Sequence, residues 1–451
     1  YLGDKYAACA WAYPTAVLSL YGFFANCRVA EPFLTPYLIG PHKNISAEVT
    51  NYLFPIWTYS YLAFLFPVFL LTDFMRHKPV IVTQGLFLIT NYVLLCFAPG
   101  LPAMIFLQIN YAVVTSTEVA YFSYIYSIIP SENYQRATGY LRSAMLAGYT
   151  FGASLGQVLV SIAGMDYFYI NAISLGIVSM AFFISLWLPM PQRRMFFKGK
   201  KDADMRLQSQ DGAGSGKEEM GHNGNPGWCS RESVAAAGHL LWQSFRESYS
   251  SRHLIYWSLW WALATAGYNQ VFNYIQLMWD HIEPSATSSI YNGGVEAVCS
   301  LVTWAVWGEL ALGLFSAIAA GSVFLMALTS SIWACYVGYV IFKSCYMFLI
   351  TITTFQIASK LSMECYALMF GINTFVALSL QAIITVIVVD EAALGLDIVT
   401  QFIIYGSYYS AISLLFLIRG TYTACISHPT ATQPEDKGQK SSVEVIDAEH
   451  F

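Results

Sequence analysis

The residues best equipped for chemistry lie inside the stretch Met104 to Ser127, MIFLQINYAVVTSTEVAYFSYIYS. Gln108, Tyr111, Thr115, Glu118 and Phe122 recur there at steps of three and four, which stacks them on one face of a helix. The stretch is apolar and long enough for the ~20 residues of helix that a bilayer crossing needs. A charged side chain at that depth costs ~3 kcal/mol on insertion scales, so Glu118 must face protein or a watered cavity. Two arrangements meet that demand: a cation-binding site, and a structural carboxylate paired inside a helical bundle.

Other polar groups sit in similarly apolar surroundings. Phe54 and Trp57 are three apart and share a helix face. Asn269, Asn273 and Gln276 share another, interleaved with Tyr268, Phe272 and Tyr274. Tyr149, Asn373 and Gln381 add buried hydrogen-bonding groups, and Lys343 is the one lysine well inside an apolar stretch. Each has a plainer role. Amides in membrane bundles often join neighbouring helices, at ~0.6 kcal/mol apiece. Trp57 suits an interfacial anchor. Lys343 suits a counter-ion to a buried acid, which in a structural role of Glu118 would be Glu118 itself. Glu296 and Glu309 stand near the ends of apolar stretches and read as solvated. Taken together, a buried acid with aromatic faces and amides suits a flat cation with a polar ring. Cation–π and charge contacts of ~1–2 kcal/mol each when desolvated would hold the positive part, and amides would read the ring edge.

Composition sets the class. Of 451 residues, 56% are hydrophobic and 11% charged, with a mean hydropathy of +0.50, so the chain reads as a polytopic helical membrane protein. A net charge of -5 argues against a nucleic-acid partner and leaves the lipid bilayer as the large one. The nine cysteines show no CxxC or Cys/His spacing and read as small core residues, with neither a disulfide frame nor a metal site. There is no nucleophile elbow, phosphate-binding glycine loop or HExxH, so neither an enzyme nor a cofactor is expected. The opening Tyr1 implies an absent or altered natural start, and nothing there resembles a cleaved signal peptide.

Apolar windows predict six spans in residues 1–189 and a second helical set in 253–419. Between them, 190–252 opens with PQRRMFFKGKK and turns polar and glycine-rich, which predicts a mostly disordered linker. A polar tail, 420–451, closes the chain. Ile290 to Leu328 is 39 residues, barely two spans of ~20, so the eighth is shortened. Arg76, Lys78, Arg136, Arg142, the linker, Lys360 and Arg419 fall on alternate connections. By the positive-inside rule these are cytoplasmic, as are both termini. Asn44 of the sequon Asn44-Ile45-Ser46 is then outside, as a glycan acceptor. About 12 transmembrane helices in 6+6 halves around a cytoplasmic linker is the layout of the all-α major-facilitator fold, whose halves rock about a midplane site.

EPFLTPYLIGPHKN, FPIWTYSYL, SLWWALATAGYNQVFNY, SSIYNGGVEA and MFGINTF resemble the reduced-folate and thiamine carrier family over nearly all the membrane portion. The chain is most similar to its vertebrate thiamine-carrying branch. The resemblance implies a major-facilitator fold, the plasma membrane and uptake of a water-soluble vitamin. Glu118 stands where the folate carrier has an arginine, and Gln381 where it has a lysine; both favour a cationic substrate over a dianion. The resemblance further implies Phe54, Trp57, Tyr111, Glu118, Tyr149 and Asn273 as thiamine contacts, with Gln108 and Gln381 beside them. Gln108 replaces a second glutamate of the thiamine carriers, keeping hydrogen bonding and losing charge. VEAVCSLVTWAVWGELAL is shorter than the family pattern by roughly three helical turns. The function expected is thiamine uptake by alternating access, with related cationic or pyridine vitamins as further substrates. The alternatives are a folate-type organic-anion carrier and a shortened, transport-deficient variant. Loop charge makes the first prediction: protease added to intact cells should spare an epitope placed near Gly212, and clipping from outside would reverse the orientation.

Overall fold

The apolar windows become helices because the bilayer leaves backbone groups no partner except their own chain. The computed structural model describes residues 2–74, 77–129, 133–190, 246, 249, 251–286, 289–302, 311–358, 363–390 and 393–427. The predicted disorder of the linker and most of the polar tail fall outside these residues, as do Glu309 and Lys360. The helices are α1 (Leu2–Asn26), α2 (Leu34–Ile39), α3 (Ala47–Phe74), α4 (Lys78–Phe97), α5 (Leu101–Ile128), α6 (Tyr134–Ser161) and α7 (Tyr167–Leu186). They continue with α8 (Arg252–Ile282), α9 (Asn292–Val302), α10 (Ala311–Leu328), α11 (Ile332–Ala358), α12 (Met363–Val388) and α13 (Ile398–Ser427). No strand occurs among the described residues.

The earlier helices pack mainly on one another: α1 against α6 and α7, α3 against α5, and α4 against α5 and α7. The later ones do likewise, α8 against α11, α12 and α13, and α10 against α11 and α13. The groups meet where α9 lies on α6 and α12 on α3. Among the described residues, six helices are long and apolar enough to cross a membrane. Phe97, Phe183, Trp187, Leu414 and Ile418 face outward, whereas Gln84, Asn91, Asn110, Gln270 and Gln401 are buried. That distribution inverts the soluble pattern and suits a lipid surround.

The first span is broken. Pro32 and Pro36 supply no backbone N–H, so a continuous α-helix through them would lose rungs of its ladder. The chain instead leaves α1 at Asn26, makes a 3₁₀ turn at Glu31–Phe33 and resumes as α2. By composition the first span runs from about Tyr6 to Cys27 and ends at RVAEPFLTPYL, ahead of a polar loop. The structure corrects this: Pro32, Phe33, Thr35, Pro36, Tyr37 and Leu38 are all buried. Irregular backbone at such depth is tolerated where protein surrounds it.

Glycine on α6 makes the space. Gly148, Gly152 and Gly156 form one stripe, and a Cβ on Gly152 would lie 2.9 Å from the backbone nitrogen of Arg28. At Gly156 it would lie 2.5 Å from the carbonyl of Val29, and at Gly148 it would strike the carbonyl of Phe23. Gly152 precedes the end of α6 at Ser161 by nine residues, or ~14 Å of helix. Arg28 is therefore deep in the bundle. From there the chain climbs outward. Ala30 N donates to Ser174 Oγ at 3.0 Å, Phe33 stacks on Tyr167 at 6.0 Å, and Tyr37 donates its hydroxyl hydrogen to the Leu95 carbonyl at 3.0 Å.

In the expected eighth span the structure describes α9 over 292–302, and 303–310 lie outside the described residues, as does the expected shortening. In the α3–α4 loop, burial pushes the His77 imidazole down to about 4, so it is neutral at cellular pH. The positive charge of that loop belongs to Arg76 and Lys78.

Gly152→Ala should cost ~1–3 kcal/mol, because its new methyl meets backbone that cannot step aside. Gly176 on α7 has open space around it, and Gly176→Ala should be neutral or stabilising by up to ~1 kcal/mol. Thermal melting of the purified variants in detergent checks both.

Candidate functional site

Tyr111, Thr115 and Glu118 share a face of α5 as their spacing predicts, the side chain of Phe122 lying outside the described residues, and the centre of that face is an arginine that sequence reasoning did not single out. Arg28 is 8% exposed, and its Nε donates to the Ala25 carbonyl at 2.9 Å. Its Nη1 donates to the Tyr111 hydroxyl, and the guanidinium carbon lies 5.6 Å from the centre of the Tyr111 ring. Nη2 is 3.8 Å from Glu118 Oε1, and Nη1 is 3.8 Å from Glu31 Oε2. Glu118 thus faces Arg28 and not Lys343. Its side chain keeps 43% exposure beside a buried guanidinium, so it borders an opening inside the bundle. Trp57 completes this wall. Its Nε1 donates to Thr115 Oγ1 at 3.1 Å, and its ring lies 6.4 Å from Tyr111 and 5.6 Å from Tyr61. Trp57 is therefore an interior residue and not an interfacial anchor.

Lys343 belongs to a second cluster, where it pairs with Glu296, both of them 4% exposed. Tyr149 and Tyr339 donate to the two Glu296 oxygens at 2.8 and 2.9 Å. The Lys343 nitrogen lies 5.0 to 5.5 Å from the ring centres of Tyr149, Phe272 and Tyr339. Lys343 is a counter-ion as expected, but the solvated reading of Glu296 is wrong. The acid's partners come from α6 and α11, which sequence position cannot show. One signal was available: Asn292, Glu296 and Ser300 recur at steps of four, and all three are buried.

The amides divide. Asn269 Nδ2 donates to Gln381 Oε1 at 3.1 Å, and Gln381 Nε2 donates to Thr58 Oγ1 at 3.1 Å, so Gln381 spends its side chain joining α12 to α3 and α8. Gln276 accepts from Thr35 N and donates to the Glu31 carbonyl, both at 3.1 Å, which pins α8 to the broken span. Asn373 bonds Tyr249 and Ser258 and is structural. Asn273 differs: its Nδ2 is buried without a hydrogen-bond partner among the described residues. Phe54 meets Tyr274 edge-on at 6.2 Å, and Gln108 is buried. The structure therefore gathers Trp57, Tyr111 and Glu118 around Arg28, and sets Tyr149 against Lys343. Glu31 lies near both helix groups, its carboxylate 3.8 Å from Arg28 and its carbonyl accepting from Gln276.

The hydrogen bonds described between the two helix groups lie at the Asn44 end or near the middle of the helices. Besides those of Gln276 and Gln381, Asn292 donates to the Pro32 carbonyl at 3.2 Å, and Gln157 bonds Ile290 and Gly294 at 2.8 and 3.0 Å. Asn44 itself is exposed, with φ of 50°. Charge differs between the clusters. Lys343 and Glu296 cancel, whereas Glu118 and Glu31 against Arg28 leave one negative charge over.

The family described as reduced folate carrier matches residues 9–404. Thiamine transporter 2 of Homo sapiens is 49% identical, over 94% of this chain and 92% of the relative. Thiamine transporter 1 of Homo sapiens is 46% identical, over 95% and 93%. The reduced folate transporter of Homo sapiens is 37% identical, over 96% of this chain and 77% of the relative. Among solved structures, the nucleoside transporter NupG superimposes with a TM-score of 0.56 at 11% identity, covering 91% of this chain and 99% of that one. The fold is that of the major-facilitator transporters, and the chain is a multi-pass membrane protein.

Lys343→Met leaves the Glu296 carboxylate buried without its cation and should cost ~3–5 kcal/mol of stability. The double variant Lys343→Met/Glu296→Gln removes both charges and should recover most of that loss in detergent melting curves.

Proposed function

This chain belongs to the reduced folate carrier family, and we propose that it carries thiamine into the cell across the plasma membrane by alternating access. The observation that carries the proposal is Glu118, half-exposed mid-helix inside the bundle with the rings of Trp57 and Tyr111 beside it. A carboxylate there is expensive unless it meets a cation, and thiamine is permanently cationic. The thiamine transporters among its relatives support the same substrate. Asn273, with an unspent buried donor, and Phe54 extend the site toward the later helices; Tyr149, Gln108 and Gln381 border it. Related cationic or pyridine vitamins follow as further substrates. A folate-type anion would meet a fixed excess of negative charge, which argues against that alternative. The work asked of the protein is binding and release, so it is a carrier and not an enzyme, with no cofactor.

In this proposal residues 1–189 and 253–419 are the two rocking halves, and 190–252 and 420–451 are cytoplasmic with both termini. Asn44 is outside, available for glycosylation. The bonds of Gln276, Asn292 and Gln157 then close the outer end, and the site opens inward. The 39 residues from Ile290 to Leu328, barely two spans of ~20, favour a second reading, a shortened variant that binds substrate and fails to transport it. Parallel measurements of thiamine binding and uptake separate the two.

Glu118→Gln keeps shape and hydrogen bonding while removing charge, and should cost ~2–5 kcal/mol of thiamine affinity, about 30-fold or more. Trp57→Leu should cost less, ~1–2 kcal/mol, the weight of one cation–π contact. A structural role forecasts something else: Glu118→Gln would strip Arg28 of a partner and lower the amount of folded protein at the membrane. Surface level and thiamine binding are measured on the same samples. Normal surface level with unchanged affinity overturns the cation site.

A further inference from the structure

Glu118 already faces a cation, and that cation is the protein's own. Arg28 lies 3.8 Å from Glu118 Oε1, and its guanidinium lies over the face of Tyr111. A substrate cation held by Glu118 would want the same two partners. Glu31, 23% exposed, lies at the same distance from the other terminal nitrogen of Arg28, 3.8 Å from Nη1. Both separations exceed by ~1 Å the 2.7–2.9 Å of a direct charge-assisted bond, so neither carboxylate holds Arg28 fast. What fixes the side chain is neutral: the Ala25 carbonyl on Nε and the Tyr111 hydroxyl on Nη1. The guanidinium is thus pivoted at its base between two acids at equal reach.

Arg28 cannot simply withdraw into water. At 8% exposure it must keep a carboxylate when another cation displaces it from Glu118. Glu31 can serve because the broken span carries it three residues on from Arg28 and because Gln276 anchors its carbonyl across the helix groups.

We propose that Arg28 is a resident competitor for Glu118, neutralising it in the empty site and passing to Glu31 when a monocationic substrate arrives. The proposal rests on the reading of Glu118 as the substrate's partner. It makes Arg28 and Glu31 positioning residues that set affinity and charge preference without touching thiamine. Two acids against one arginine leave room for a single added positive charge. Substrate arrival then moves the Arg28–Glu31 contact, and with it the anchor of Gln276 on α8.

The test is thiamine binding to purified full-length protein, normalised for folded material. Glu31→Gln leaves Arg28 only Glu118, so the competitor wins and affinity should fall about tenfold or more. Arg28→Gln removes the competitor and should tighten binding by about threefold or more. In Arg28→Gln/Glu31→Gln the site again carries one negative charge, and affinity should return to within about threefold of wild type. Unaltered binding in Glu31→Gln overturns the proposal, as does a double variant as weak as Glu31→Gln, which would mean that Glu31 touches substrate itself. Should Glu31→Gln not accumulate, Arg28→Gln decides alone, since binding no tighter than wild type overturns it. Glu118→Gln run alongside separates the two failures. If that variant binds normally, the cation site is wrong; if it binds weakly while the other variants miss their pattern, only the competitor is wrong.

Discussion

The close approach of the α1 terminus to α6 is the contact on which the other features of the site depend. Three glycines on α6 leave a surface of bare backbone, and the chain from Phe23 to Val29 lies against it at distances no side chain would allow. Small residues at helix crossings serve this purpose in membranes, where no hydrophobic drive pulls helices together and packing must supply the energy. Because the approach occurs well before α6 ends, the unwound segment after Asn26 sits inside the bundle. Arg28 and Glu31 owe their depth to it, and Gln276 and Asn292 find free carbonyls there to hold.

Two charged clusters share the interior and differ in balance. Around Lys343, every charge has its opposite, and tyrosine hydroxyls fill the remaining valences of the acid. Such a cluster holds helices in register and has nothing left for a ligand. Around Arg28 the acids outnumber the base, the separations are long, and one acid remains half-exposed. A closed cluster and an open one, set in the same bundle, divide structure from recognition.

Much of this was legible in the sequence, and what was not has a physical pattern. Helix positions follow from apolar length, and α4 and α7, at 20 residues each, have the length a bilayer crossing needs. The face of Tyr111, Thr115 and Glu118 follows from helical spacing. Arg28 escaped because a charge at the end of an apolar run is ordinarily solvated, and only the break in the span brings it inside. Glu296 escaped because it too stands near the end of an apolar stretch, close to the start of α9. Partner choice was beyond reach as well. That Gln381 would meet Thr58 and Gln276 the 3₁₀ turn depends on contacts between residues hundreds of positions apart.

The Glu296–Lys343 pair also sets a problem of timing during synthesis. Helices enter the bilayer roughly in the order in which the ribosome delivers them, and α9 comes before α11. For that interval Glu296 has no lysine, and a carboxylate left alone in hydrocarbon carries a cost of ~3 kcal/mol. Tyr149 was made earlier, on α6, and its hydroxyl donates to the same carboxylate. The nascent chain therefore has a neutral partner waiting for its acid before the cation is translated, and the first group of helices serves as a template on which the second is assembled.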